Sequence, residues 1–122
     1  MPILDVEIVG DLPEATRHGL ARKLADAAGT VLHSRPQGTW VKVRFLPDDS
    51  YAENAGGPEA GVAPVFVRVL ERELAAGDAL AAEIDELTRA VAAVCGRDAG
   101  NVHLIYEPPG AGRVAFGGRR VV

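Results

Sequence analysis

The chain has 122 residues and a mass of 12.8 kDa, which is the size of one domain. Hydrophobic residues make up 48% and charged residues 25%, a balance that excludes an intrinsically disordered chain. The net charge of −4 excludes the basic surface of a nucleic-acid-binding protein, and no apolar run approaches the roughly 20 residues that span a bilayer. We therefore expect a single domain over 1–122, with neither nucleic acid nor membrane as a partner.

The expected location is the cytoplasm. The only cysteine forms no internal disulfide, which fits a reducing compartment. The first residues, MPILDVEIVGD, have no basic stretch and reach an acidic residue at position 5, so we expect no signal peptide.

The first half of the chain predicts a strand, a helix and a second strand. Residues 3–9 alternate between apolar and acidic, which is typical of a half-buried strand. Asp11 and Pro13 predict a helix start, and apolar residues recur at helical spacing from Leu20 to Val31. Residues 39–46 alternate again, and the polar, glycine-rich segment 47–63 predicts a connection.

The second half repeats this order. Residues 64–70 and 101–106 predict two strands. Between them, Asp78 predicts the cap of a helix that ends at Gly96 or Gly100. Its apolar stripe is Leu80, Ile84, Leu87, Val91 and Val94. A short strand near 114–116 precedes the Gly117–Gly118 doublet.

The two halves are spaced as a duplication. Lys42 and His103 occupy matching places in the second strand of each half, and a glycine pair follows each of them 14 residues later. Two pseudo-repeats, 2–57 and 64–118, predict an α+β fold: two tandem β-α-β units forming a four-stranded sheet with two helices on one face. The other face then carries uncovered apolar groups, so we expect self-association.

Three segments together resemble the tautomerase superfamily: MPILDVEIVG, SRPQGTWVKVRFLPDD and NVHLIYEPPGAGRVAFGG. The chain is similar to 4-oxalocrotonate tautomerase, which is one β-α-β unit, and to the macrophage migration inhibitory factor group, which has two. The resemblance implies a homotrimer with one active site per subunit around an amino-terminal proline. It also implies no metal and no organic cofactor, and a small carboxylate-bearing substrate.

Pro2 is the candidate catalytic residue. A small second residue normally permits removal of Met1, which would leave Pro2 with a free secondary amine. An α-amino group titrates at about 8, and burial near cations lowers its pKa toward neutrality. Such an amine is a general base at neutral pH. If Met1 is retained, the Pro2 nitrogen is an amide and has no useful basicity.

Four further residues are candidates for substrate binding, because arginine and lysine bind carboxylates. Lys42 resembles a substrate-binding arginine of the short tautomerase, and Arg35 a pocket lysine of the migration-inhibitory-factor group. Arg72 resembles the carboxylate-binding arginine of the dehalogenase members, and His103 a pocket tyrosine. For each cation the alternative is a solvated charge at a strand end; for His103 it is a buried, hydrogen-bonded position.

Glu53 departs from the short tautomerase, which has a phenylalanine there, and resembles the water-activating glutamate of the dehalogenase members. The alternative is a solvated loop carboxylate, and Tyr51 is a further candidate pocket residue. No histidine or cysteine has metal-ligand spacing, so we expect no metal site. The expected function is a cofactor-independent tautomerase acting on a small enol or 2-keto acid. The alternatives are a hydratase, dehalogenase or decarboxylase of the same superfamily, or a non-catalytic oligomeric binding protein that retains Met1.

Overall fold

Four strands form one mixed sheet: β1 (Pro2–Val9), β2 (Trp40–Leu46), β3 (Val65–Glu71) and β4 (Val102–Tyr106). The computed structural model describes every residue from 1 to 122. The strand order is β2-β1-β3-β4, with β1 parallel to β2, β3 parallel to β4, and β1 antiparallel to β3. Each parallel pair needs a crossover connection, and a helix supplies it in both halves. The α+β fold of two β-α-β units is therefore confirmed.

The helices are α1 (Glu14–Arg17), α2 (Leu20–Val31) and α3 (Gly77–Cys95). Asp11 does not cap a helix as the sequence suggested: its carboxylate accepts from the Leu12 N–H and from Arg17. Asp78 also does not occupy the cap position, which is Ala76, but lies in the first turn of α3, where the helix dipole favours a carboxylate. Gly96, with φ of 64°, ends α3 as predicted.

The core lies between one sheet face and the two long helices. Alternate residues of the central strands are fully buried there: Leu4, Val6 and Ile8 of β1, and Val65, Val67 and Val69 of β3. Leu20, Leu24 and Ala28 of α2 pack onto them, together with Leu87, Val91 and Cys95 of α3. The alternation that predicted the strands is therefore the pattern of burial.

The stripe predicted on α3 is wrong at Ile84, which is 40% exposed. The buried row of this helix is Leu87, Val91 and Cys95, at intervals of four residues. The position one turn before Leu87 is Glu83, so this row begins with a carboxylate. The predicted stripe therefore differs from the buried row by one residue at this turn, with the apolar Ile84 in the place of Glu83.

The second face of the sheet is uncovered. It carries the apolar residues Ile3, Trp40, Phe66, Leu70 and Ile105. Between them lie ion pairs, including Lys42–Asp5 at 3.0 Å and Arg68–Glu107 at 3.0 Å. The apolar residues of this surface are what the sequence predicted for the face without helices, and the ion pairs between them are an addition that the structure shows.

A hairpin near the end of the chain lies beside the start of β2. Its strands are β5 (Ala115–Phe116) and β6 (Arg119–Arg120), joined by the two glycines at 117 and 118, both with positive φ. The ring of Phe116 meets Trp40 edge-on, with centroids 5.1 Å apart. No helix in the structure has both the length and the apolar character needed to cross a bilayer.

Candidate active site

Pro2 is the first residue of β1, and its cross-strand partner is Glu71, the last residue of β3. Because side chains alternate along a strand, Pro2 and Glu71 point to the same side of the sheet as Leu4 and Val69. This is the helix side, at the edge where the core ends. Met1 precedes Pro2 in the chain, so the Pro2 nitrogen is an amide in this form of the protein.

A cavity of about 220 Å³ lies beside this end of β1. It is lined by Met1, Arg35, Gln37, Gly38, Trp40 and Phe116. The Trp40 indole is fixed by a hydrogen bond from Nε1 to the carbonyl of Gln37 at 2.9 Å. The lining thus combines two aromatic rings with one guanidinium, a combination suited to a small apolar molecule that carries one carboxylate.

Arg35 is the cation that the structure brings to this cavity. It also lines a larger, polar cavity of about 460 Å³ between α2 and the segment before β2. There, the hydroxyls of Ser34 and Thr39 are 2.5 Å apart. Arg35 itself is exposed and no acidic side chain pairs with it, so its guanidinium is available to an anion.

Arg72 follows Glu71 and is therefore close in sequence to the partner of Pro2. Its guanidinium donates from Nε, at 2.9 Å, and also from Nη2 to the main-chain oxygen of Val122, the last residue of the chain. The edge of the guanidinium that would bind a carboxylate is thus occupied by a backbone oxygen.

Lys42 and His103 lie on the uncovered face and not on the side of Pro2. Lys42 pairs with Asp5, three residues along β1, so about 10 Å of strand separates it from Pro2. His103 is exposed and packs its ring against Phe66 with centroids 5.5 Å apart. Within one subunit neither residue meets the cavity beside Met1.

Glu53 and Tyr51 form a pair in the connection before β3. The Tyr51 hydroxyl donates to Glu53 Oε2 at 2.7 Å, and this bond raises the pKa of Tyr51. The Tyr51 ring packs against Phe66 at 5.8 Å. The pair therefore belongs to the Phe66 end of the uncovered face, together with His103.

Sequence reasoning missed a group of three polar residues next to Pro2: Glu71, Glu83 and Tyr106. The Tyr106 hydroxyl donates to Glu83 Oε2 at 2.8 Å. Burial and the neighbouring Glu83 raise the pKa of Glu71 to about 7, and burial followed by the bond to Glu83 raises that of Tyr106. The spacing of two of these residues in the sequence could have indicated the group. Glu71 continues the alternation of buried residues in β3, and Glu83 precedes Leu87 by one helical turn.

Two other findings bear on cofactors and nucleophiles. No group of three or more His, Cys, Asp or Glu side chains is arranged to hold a metal ion. Cys95 is buried in the core, and that burial raises the pKa of its thiol, which disfavours the reactive thiolate.

Comparison with solved structures identifies the fold. The chain superposes on one chain of the structure described as the Q0 fused 4-OT wild-type symmetric trimer, with a TM-score of 0.71 and 24% identity over 89% of this chain and 87% of that chain. The FG41 malonate semialdehyde decarboxylase matches at 0.71 and 18% identity, over 94% and 88% of the two chains. A macrophage migration inhibitory factor-like protein from Entamoeba histolytica matches at 0.68 and 13%, over 94% of each chain.

No protein-family model and no curated protein matches the chain by sequence. The structural matches nevertheless include a fused 4-OT, a decarboxylase and a migration-inhibitory-factor-like protein, which are tautomerase superfamily members. The resemblance seen in the sequence is thus confirmed for the fold. At these identities the likeness defines the architecture and leaves the reaction to be argued from the site.

Proposed function

We propose that the chain, after removal of Met1, is a cofactor-independent tautomerase that moves a proton on a small enol or 2-keto acid, with Pro2 as general base. One observation carries the proposal: Met1 and Arg35 line the same cavity, beside the end of β1 at which Pro2 begins the strand. Removing Met1 would expose the Pro2 amine at that cavity. The base would then face a carboxylate-binding cation and two aromatic rings.

The chemistry follows from those groups. Arg35 would bind the substrate carboxylate, and the Pro2 amine would take a proton from the enol hydroxyl and return it to carbon. Both steps are proton transfers, so the residues need no redox partner. Arg72, next to Glu71, would assist with the carboxylate once its guanidinium is released from Val122.

Lys42 and His103 would contribute to substrate binding only in the site of a neighbouring subunit. Both lie on the uncovered sheet face, which carries five apolar side chains and calls for a second copy. We propose a homotrimer in the cytoplasm, in which this face meets the neighbouring subunits and Lys42 and His103 approach a neighbour's cavity.

The test is turnover of phenylenolpyruvate by protein whose mass shows the loss of Met1. Loss of the enol absorbance above the uncatalysed rate supports the proposal. Pro2→Ala keeps an amine, but a primary and less rigid one, so it should lower kcat while the circular dichroism spectrum stays unchanged. Equal kcat in the two proteins would contradict a role for the rigid secondary amine that distinguishes Pro2 from alanine.

A water-adding reaction is the second candidate, and the Tyr51–Glu53 pair favours it. The hydrogen bond at 2.7 Å holds Glu53 as an oriented carboxylate, the group needed to activate water. Halide release from a 3-haloacrylate would identify this activity, and Glu53→Gln should abolish it without affecting tautomerisation. A superfamily decarboxylase would instead release CO₂ from a 3-oxo acid, and a non-catalytic binding protein would retain Met1 in its intact mass.

A further inference from the structure

Glu71 is the cross-strand partner of Pro2 in the antiparallel pair of β1 and β3. Opposite residues of an antiparallel pair have their Cβ atoms about 5 Å apart on the same face. Glu71 is half-buried, and its Oε2 is out of contact with solvent and accepts no hydrogen bond from a protein donor. A charged carboxylate in that position loses its hydration and gains no hydrogen bond in return, which costs free energy. The neutral carboxylic acid has a much smaller cost of burial.

Glu83 is the group that can complete the site. The register pairs Tyr106 with Val69, two residues before Glu71 on the same face, and the hydrogen bond from Tyr106 brings the Glu83 carboxyl to this end of the sheet. Two neighbouring carboxyl groups form a hydrogen bond only if one of them carries a proton. The Tyr106 hydroxyl donates to Glu83 Oε2 at 2.8 Å, which favours the charged form of Glu83 over that of Glu71. The proton therefore belongs on Glu71.

We propose that Glu71 and Glu83 share one proton beside Pro2, so that the carboxyl opposite the Pro2 amine is uncharged and the amine stays a free base. This inference deepens the proposed function and rests on it for its biological meaning. Glu71 acts here as a positioning residue for a proton and does not touch the substrate.

The charged groups around the pair agree with this assignment. Glu83 comes from α3, Tyr106 from β4 and Pro2 from β1, and His33 lines a cavity of about 290 Å³ next to Glu83 and Glu86. The basic residues of the adjacent segments, Arg72 and Arg113, donate to the main-chain oxygens of Val122 and Pro109. Their hydrogen bonds go to backbone oxygens and not to the carboxyl pair.

Removing one partner at a time gives opposite results. Glu83→Gln removes the negative neighbour of Glu71 and introduces an amide N–H that can donate to its carboxylate, so the pKa of Glu71 falls and its charge stabilises the ammonium form of Pro2. The pKa of the Pro2 amine should then rise by roughly 1 unit, as expected for unit charges several Å apart near a protein surface. Glu71→Gln keeps a neutral group opposite Pro2, so this pKa should not rise, and the double variant should not raise it either.

The experiment is a ¹⁵N NMR titration of the Pro2 amine in Met1-free protein, without substrate. Glu86→Gln is the matched control, because it removes the same charge from an exposed position on α3 and should leave the pKa within about 0.2 unit. Tyr106→Phe provides a second route: without its donor, Glu83 takes the proton, Glu71 ionises, and the amine pKa rises.

The shared proton is supported if the pKa of the Pro2 amine rises in Glu83→Gln and this rise is absent in the double variant that also carries Glu71→Gln. An unchanged amine pKa in both Glu83→Gln and Tyr106→Phe overturns it, as does an equal shift in Glu71→Gln and Glu83→Gln. Because the titration needs no turnover, it separates the two claims. An inactive protein that shows the predicted shifts would refute the tautomerase proposal and leave the proton pair standing.

Discussion

Among the basic residues near the start of β1, Arg35 has the position best suited to a substrate anion. It lines the Met1 cavity and makes no ion pair, whereas Arg72 is engaged by Val122 and Lys42 by Asp5. The sequence offered all three cations as candidates for binding the carboxylate. Their environments separate them, because only contacts between distant parts of the chain decide which guanidinium or ammonium is free.

Arg35→Ala should reduce kcat/KM for an enol acid by about 30-fold, which corresponds to the loss of one charge-assisted hydrogen bond of about 2 kcal/mol. Steady-state kinetics on the Met1-free protein measure it. Arg89→Ala is the control, because Arg89 pairs only with Asp85 on the outer surface of α3 and should leave kcat/KM unchanged. Similar losses in both variants would remove Arg35 from the site.

Glu71 also predicts a pH dependence of stability. Its pKa is raised from the ordinary 4.5 to about 7 by burial and by Glu83, so folding favours its protonated form. The stabilisation is complete below about pH 4.5 and is lost as the pH rises through about 7. Urea unfolding should show this decrease in wild type and not in Glu71→Gln, while Glu73→Gln, an exposed neighbour, keeps it. A decrease that persists in Glu71→Gln would assign it to other groups.

At the level of elements, the strands follow from the sequence and the helix boundaries do not. Period-two alternation identified all four main strands to within one or two residues, because one face of each strand is buried by the helices. The helix starts predicted from Asp11 and Asp78 are inexact, although both residues are of a type that often caps helices. Gly19, in the left-handed region, separates α1 from α2, and α3 begins after Ala76. Local residue preference is a weak guide where the chain turns to reach the sheet.

The buried row of α3 predicts where this helix contributes to stability. Leu87→Ala removes a side chain with no exposed surface and should lower the free energy of unfolding by about 2–5 kcal/mol. Leu74→Ala makes the same chemical change at a position that is 41% exposed and should cost less than about 1 kcal/mol. Urea denaturation at a fixed protein concentration gives both values. Equal losses would mean that α3 does not pack as described.

For the whole molecule, the proposed site residues are divided between the uncovered sheet face and the cavity beside Met1. The sequence predicted that one face stays apolar, because each strand has large apolar residues on both sides. It left open which set of strand residues the helices cover, so it did not place Lys42 and His103 relative to Pro2, and it gave no position for Tyr51 and Glu53. A complete pocket from the proposed residues therefore requires assembly.

Two isoleucines with matching exposure test the assembly. Ile105 on the uncovered face is 39% exposed, and Ile84 on α3 is 40% exposed. Ile105→Glu should dissociate the trimer in sedimentation velocity at micromolar concentration, since it buries a charge in the interface. Ile84→Glu should leave the trimer intact. A wild-type monomer, or dissociation by Ile84→Glu alone, would place the interface elsewhere or remove it.

The central claim is that the amine of Pro2 is the base. Its most direct test is the tautomerisation rate of one sequence in two forms, with Met1 retained and with Met1 removed, each identified by intact mass. The retained form has an amide nitrogen, which takes no proton at neutral pH, so its kcat should fall to the level of the uncatalysed reaction. The Met1-free form should be active, with kcat/KM rising through a free-enzyme pKa between roughly 6 and 8. Equal activity of the two forms would contradict the account.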